Sequence, residues 1–130
     1  MRERSLFVIA FLAAVTPLAA HHSFSAEYDA SKPVNVTGVV TKVEWTNPHI
    51  WFYVDVKDDD GKVTNWGFSG APPGVLMRRG ISKDSLKIGD VIHVEGFRAR
   101  DNSYNGTGGT VTFSDGRKVF TASAEDQKTK

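Results

Sequence analysis

Cysteine is absent from the 130 residues. That excludes disulfides, thiolate metal sites, a cysteine nucleophile and a lipidated cysteine at the N-terminus. A dominant charge is missing as well: 16 basic residues face 15 acidic ones, for a net charge of +1. Such a balance leaves no footprint for nucleic acid, which attracts clustered Lys and Arg, or for an anionic membrane surface. The longest apolar run, Leu6 to Val15, has ten residues, whereas crossing a bilayer takes about 20. No stable membrane anchor is therefore expected. The chain also lacks a Gly-x-Ser-x-Gly elbow, a Gly-rich phosphate loop and an HExxH pair, so no standard catalytic set can be read from it.

What is present begins with the first twenty residues. Arg2 and Arg4 give a positive start, Leu6 to Val15 an apolar stretch, Pro17 a break and Ala19-Ala20 a small-residue end. This is the layout of a secretory signal peptide over residues 1–20, with cleavage after Ala20. Leu18 is larger than the residue usual at that distance from a cut. Processing there delivers a periplasmic or secreted protein that starts at His21. Setting aside Arg2, Arg4 and Glu3 leaves 14 basic and 14 acidic residues, so the mature chain is formally neutral. Residues 21–130 suffice for one domain with its own core.

Period-two patterning dominates that domain. Val34 to Val40 alternates, then Val43 and Trp45 change phase, which predicts a β-bulge near Thr41-Lys42 beside the pliant Gly38. Ile50 to Val56 is the strongest strand, with Ile50, Phe52, Val54 and Val56 on one face and Trp51 and Tyr53 on the other. Asp58-Asp59-Asp60-Gly61 reads as a hairpin turn, not a calcium loop, since it lacks the alternating ligand spacing. Val63 to Phe68 returns from it, with Trp66 and Phe68 on one face. Val75 to Arg79 forms a short helix ended by Gly80. Val91 to Phe97 is a further strand, and Asp101 to Gly109 reads as a mobile loop. Thr110–Phe113 and Lys118–Thr121 flank a second hairpin turn at Ser114–Arg117.

The order of these elements predicts an all-β fold, an OB-like barrel of five to six strands with one short helix, a β-sandwich being the alternative. The domain is expected over residues 21–121, with an N-terminal arm at 21–33 and a flexible tail at 122–130.

Chemistry concentrates in the histidines. A cut after Ala20 gives His21 an α-amine beside its own imidazole, a ready chelate for copper or zinc. The candidate metal ligands are His21, His22 and His49, the last in the turn Thr46-Asn47-Pro48-His49. His93 alternates with strand neighbours and reads as a barrel-wall residue. A second candidate is the aromatic set Trp45, Trp51, Tyr53 and Trp66, a surface for a protein partner or a small apolar ligand. Phe24 and Tyr28 of the arm are expected to pack across Trp51 or Tyr53 and bring His21 and His22 towards His49.

His21-His22-Ser23-Phe24, Glu27-Tyr28-Asp29, Val43-Glu44-Trp45-Thr46-Asn47-Pro48-His49 and Leu86 to Asp90 together resemble a family of small secreted bacterial proteins of unknown function. The resemblance implies an exported OB-like barrel and supplies no reaction. The leading expectation is a periplasmic metal-binding protein, copper being the ion. The alternatives are an interaction module working through the aromatic surface and a copper-dependent oxidative enzyme.

Overall fold

The computed structural model describes residues 24–123. One helical turn, α1 (Phe24–Glu27), leads into β1 (Tyr28–Glu44), a strand of 17 residues. Then follow β2 (Trp51–Lys57), β3 (Val63–Ser69), the short helix α2 (Pro73–Arg78), β4 (Val91–Ala99), β5 (Asn105–Thr107), β6 (Thr110–Phe113) and β7 (Lys118–Phe120).

Five strands close into a ring in the order β1-β2-β3-β5-β4 and back to β1. The pairings are antiparallel except that of β3 with β5, which is parallel. A five-stranded ring with a helix between β3 and β4 is the expected OB-like barrel, and the open sandwich is set aside. β6 pairs with Ile92–Glu95 of β4, on the edge opposite β1 and beyond β5, and β7 pairs with β6.

The length of β1 is what makes closure possible. Residues up to Val39 pair with β4 and residues from Val39 onward pair with β2, so one strand serves two neighbours. The register slips between Val40 and Lys42, which is the bulge that the phase change announced. Gly38 stands at the crossover, where a Cβ would run into the carbonyl oxygen of Asp55.

Alternation decides the core. Phe52 and Val54 on β2, Trp66 and Phe68 on β3, and Ile92 and Val94 on β4 all point inward and are buried. Leu76 of α2 and Ile81 beyond it join the same cluster. The helix ends as expected at Gly80: its φ is +78°, its amide donates to Met77 O, and that of Ile81 donates to Leu76 O. That pattern is a Schellman motif, closed by the apolar pair Leu76–Ile81.

Three boundaries differ from the sequence reading. β5 (Asn105-Gly106-Thr107) lies inside the segment expected to be a loop, because its backbone pairs with β3 although Asn105 and Gly106 have little strand preference. The arm is shorter, since the chain is already in β1 at Tyr28. Ala122 is 2% exposed and its carbonyl accepts from Arg79 Nη1 at 2.8 Å, so packing continues past Thr121. No helix among the described residues is long and apolar enough to cross a membrane. The expected signal peptide lies outside them.

Candidate functional site

On the outer face of β2, Trp51 and Tyr53 stand half-buried with ring centroids 6.4 Å apart and an interplanar angle of 23°. Their cross-strand neighbours are Glu44 and Lys42 on β1 and Ser69 and Gly67 on β3. The missing side chain at Gly67 leaves room for the Tyr53 ring, whose nearest carbon is 3.1 Å from where a Cβ would sit. Tyr53 Oη donates to Glu44 Oε2 at 3.2 Å, and Lys42 Nζ lies 2.5 Å from Glu44 Oε1. The Lys42 contact holds the Glu44 carboxyl below its usual range, and the same contact raises the lysine amine. Burial, then the Glu44 hydrogen bond, pushes the Tyr53 phenol up.

The other two aromatic candidates do not share this face. Trp66 has the inward phase of β3 and stacks on Phe68, with centroids 5.9 Å apart and planes 10° from parallel. It is 9% exposed, so it is a core residue and no docking surface. Trp45 is partly buried and packs against the core. Phe24 also departs from expectation: it packs on Tyr28 and Phe97, at 5.6 and 5.9 Å between centroids, not on Trp51 or Tyr53. The β4 edge offers it a more enclosed apolar seat, completed by Ala99.

A cleft of about 360 Å³ opens between Trp51 on one side and α1 with the β4–β5 loop on the other. Tyr28, Arg100, Asp101, Ser103 and Asn105 line it along with Trp51. The loop is firmly tied. Arg98 Nε donates to Ser103 O at 3.0 Å and its Nη2 donates to Asn102 O at 2.5 Å. The same guanidinium lies over the rings of Trp66 and Tyr104, at 5.4 and 5.2 Å. Arg100 fastens α1 to the loop, its Nε donating to Ser25 O and its amide to Glu27 O.

Among the histidines, His49 is half-buried and its Nδ1 is 2.9 Å from the carbonyl oxygen of Gly70. A carbonyl can only accept, so Nδ1 carries the proton and, in the neutral ring, Nε2 carries the lone pair. Nε2 has no partner among the described residues. His93 Nδ1 instead meets the Thr37 hydroxyl at 2.8 Å across the β1–β4 ladder, the wall position expected of it. His21 and His22 lie outside the described residues. Within those residues no group of three or more His, Cys, Asp or Glu could hold a metal ion.

The profile of a family of unknown function, DUF6152, matches residues 10–110. The chain belongs to that family. No curated protein and no solved structure matches the chain. The matched span takes in both histidine segments, Trp51 and the whole cleft loop.

Sequence reasoning missed the cleft residues Arg100, Asp101, Ser103 and Asn105, and Arg98 behind them. The available signal was Asp101-Asn102-Ser103, an Asx-turn pattern that ties a loop to itself. Asp101 Oδ1 accepts from the Ser103 amide at 2.9 Å. The Ser103 hydroxyl, then that amide, keeps the Asp101 carboxyl below its ordinary value of 3.8. A depressed carboxylate pKa stabilises the folded loop above the unfolded value, and the contribution disappears as pH falls through the folded one. An NMR titration of the Ser103 amide should therefore show a midpoint under 3.8. A midpoint at or above it would mean the turn is not held by the carboxylate.

Proposed function

We propose that the protein is an exported, periplasmic metal-binding domain whose donor set suits copper best. The observation that supports this reading is the state of His49. Its Nδ1–H is committed to the Gly70 carbonyl, which leaves an oriented Nε2 lone pair, and ligand histidines are fixed in this manner by a hydrogen bond from the other ring nitrogen. Cleavage after Ala20 would supply the remaining donors: the α-amine and imidazole of His21, with His22 next to them. An α-amine has a pKa of about 7.7–8.0 and is partly deprotonated at neutral pH. A nitrogen-rich set of this kind favours Cu(II) over the other first-row divalent ions.

The described part of the arm is tied beside the segment that holds His49. Tyr28 Oη and Ser69 Oγ are 2.7 Å apart, and Ser69 is the immediate neighbour of the glycine that holds His49. His21 is three residue steps from Phe24, a reach of at most about 11 Å.

The test begins with the N-terminus of naturally exported protein, read by mass spectrometry, and continues with Cu(II) titration followed by paramagnetic resonance. One copper per chain with nitrogen hyperfine structure is expected. An extra residue ahead of His21 should weaken binding about a hundredfold, and His49→Ala about tenfold. A mature chain that starts elsewhere, or a capped protein that binds equally well, removes the chelate. A second reading, a ligand-binding module, is favoured by Trp51 and Tyr53, which stay half-exposed side by side on the sheet.

A further inference from the structure

We propose that the cleft between Trp51 and the β4–β5 loop binds a neutral saccharide of one or two rings. The inference rests on the ligand-binding reading of the Trp51 face and needs no metal. One wall is aromatic, the ring of Trp51, which is braced by stacking on Tyr53 at 23°. A flat apolar platform suits the C–H face of a pyranose ring or the face of a nucleobase. The opposite wall is polar. Arg100, Asp101, Ser103 and Asn105 line it; Asn105 Nδ2 donates to Ser103 Oγ at 3.1 Å, and the wall offers a ligand the guanidinium of Arg100 as donor beside the Asp101 carboxylate and the Asn105 amide oxygen as acceptors. Adjacent sugar hydroxyls, each both donor and acceptor, need such a mixed set.

Charge then separates the sugar from the nucleobase. Among the described residues, the charged groups lining the cleft are Glu27, Asp101 and Arg100. A phosphate backbone, which needs several cations in a row, finds one guanidinium there, and a sugar acid would sit beside the Asp101 carboxylate. The volume of about 360 Å³ is at the low end for small-ligand sites. The site is also largely built before any ligand arrives. Arg98 holds the carbonyls of Asn102 and Ser103, Lys32 Nζ donates to Asn102 Oδ1 at 2.6 Å, and Tyr28 is hydrogen-bonded to Ser69. Little of the loop remains to be ordered on binding, which lowers the entropic cost.

Processed protein stripped of metal with a chelator is titrated with cellobiose and maltose. Digalacturonic acid serves as the anionic counterpart and oligothymidylate as the nucleic acid. Tryptophan fluorescence and amide shifts report binding. At least one neutral disaccharide should saturate at a dissociation constant on the order of millimolar or below, moving the Trp51 indole and the amides of residues 100–105. Trp51→Ala should weaken that binding about tenfold. Asp101→Ala, at an exposed position, should also weaken it and keeps the test decisive if the tryptophan variant does not fold. Absence of saturation by either neutral sugar, or shifts confined elsewhere, overturns the proposal. Tighter binding of digalacturonate or oligothymidylate at the same residues also overturns it, while leaving Trp51 as a ligand face.

Discussion

Phe68→Ala should lower the unfolding free energy by about 4 kcal/mol, within the range of roughly 3–5 kcal/mol seen for buried phenylalanine. Phe68 is fully buried, packed between Phe52 at 5.5 Å and Trp66 at 5.9 Å. Both neighbours are pinned in the ladder, so the vacated space cannot collapse. The loss combines the transfer of a benzyl group with an empty volume whose walls have lost their contacts. Against a total stability of about 5–15 kcal/mol the change is large. Urea denaturation would read it directly, and the melting temperature should fall by about 15 °C. A loss under about 1 kcal/mol would mean the stack does not carry the core.

Gly96→Ala should cost about 3 kcal/mol through the opposite fault, excess volume. A Cβ at Gly96 would collide with the carbonyl oxygen of Thr107, and its next neighbours are the Thr107 carbonyl carbon and Oγ1, each at 2.9 Å. Two of these atoms are backbone, so rotating a side chain cannot relieve the clash. β5 must move off β4, and the ring of strands then opens at its shortest member. The same shift would drag Asn105 and the cleft loop with it. Besides the lower midpoint in urea, amide exchange at residues 105–107 should accelerate well ahead of exchange in β2. Uniform acceleration across both strands would show that β5 is not a separable seam.

These variants bear on function because the two candidate sites share their supports. His49 is oriented by a carbonyl just past the end of β3, and Trp51 sits opposite Ser69 on the same strand. The cleft loop leaves β4 at Ala99 and returns in β5 beside β3. Losing the β5 seam would therefore disturb the cleft and, through the Ser69–Thr107 pair, reach the strand end whose next carbonyl holds His49. A substitution of His49 leaves the β5 seam alone, so it is the variant that separates the metal reading from the ligand one.

Much of this was legible in the residues. Alternation over Ile50 to Val56 separated the core face from the Trp51–Tyr53 face before any tertiary contact was known. The two hairpin turns, the stop at Gly80 and the bulge beyond Val40 each follow from backbone preferences of one or two residues. His49 was legible as a candidate from its turn, although nothing local could say which ring nitrogen would be engaged.

Other features had no local signature. β5 consists of Asn105-Gly106-Thr107, three residues of which two are poor strand formers, and they pair because β3 is waiting beside them. Trp66 could have faced either way from its sequence alone, since the opposite face of β3 carries small residues and not charged ones; ring closure put it inside. The cleft joins α1, Trp51 and a loop some fifty residues further on, a proximity that no window of sequence contains. By itself the sequence determined the strands other than β5, their turns and the neutral, cysteine-free chemistry, because those rest on side-chain period and short-range backbone freedom. Only the tertiary structure decided which strand seals the barrel and which aromatics stay on the outer face, because both depend on backbones far apart in the chain closing to van der Waals contact.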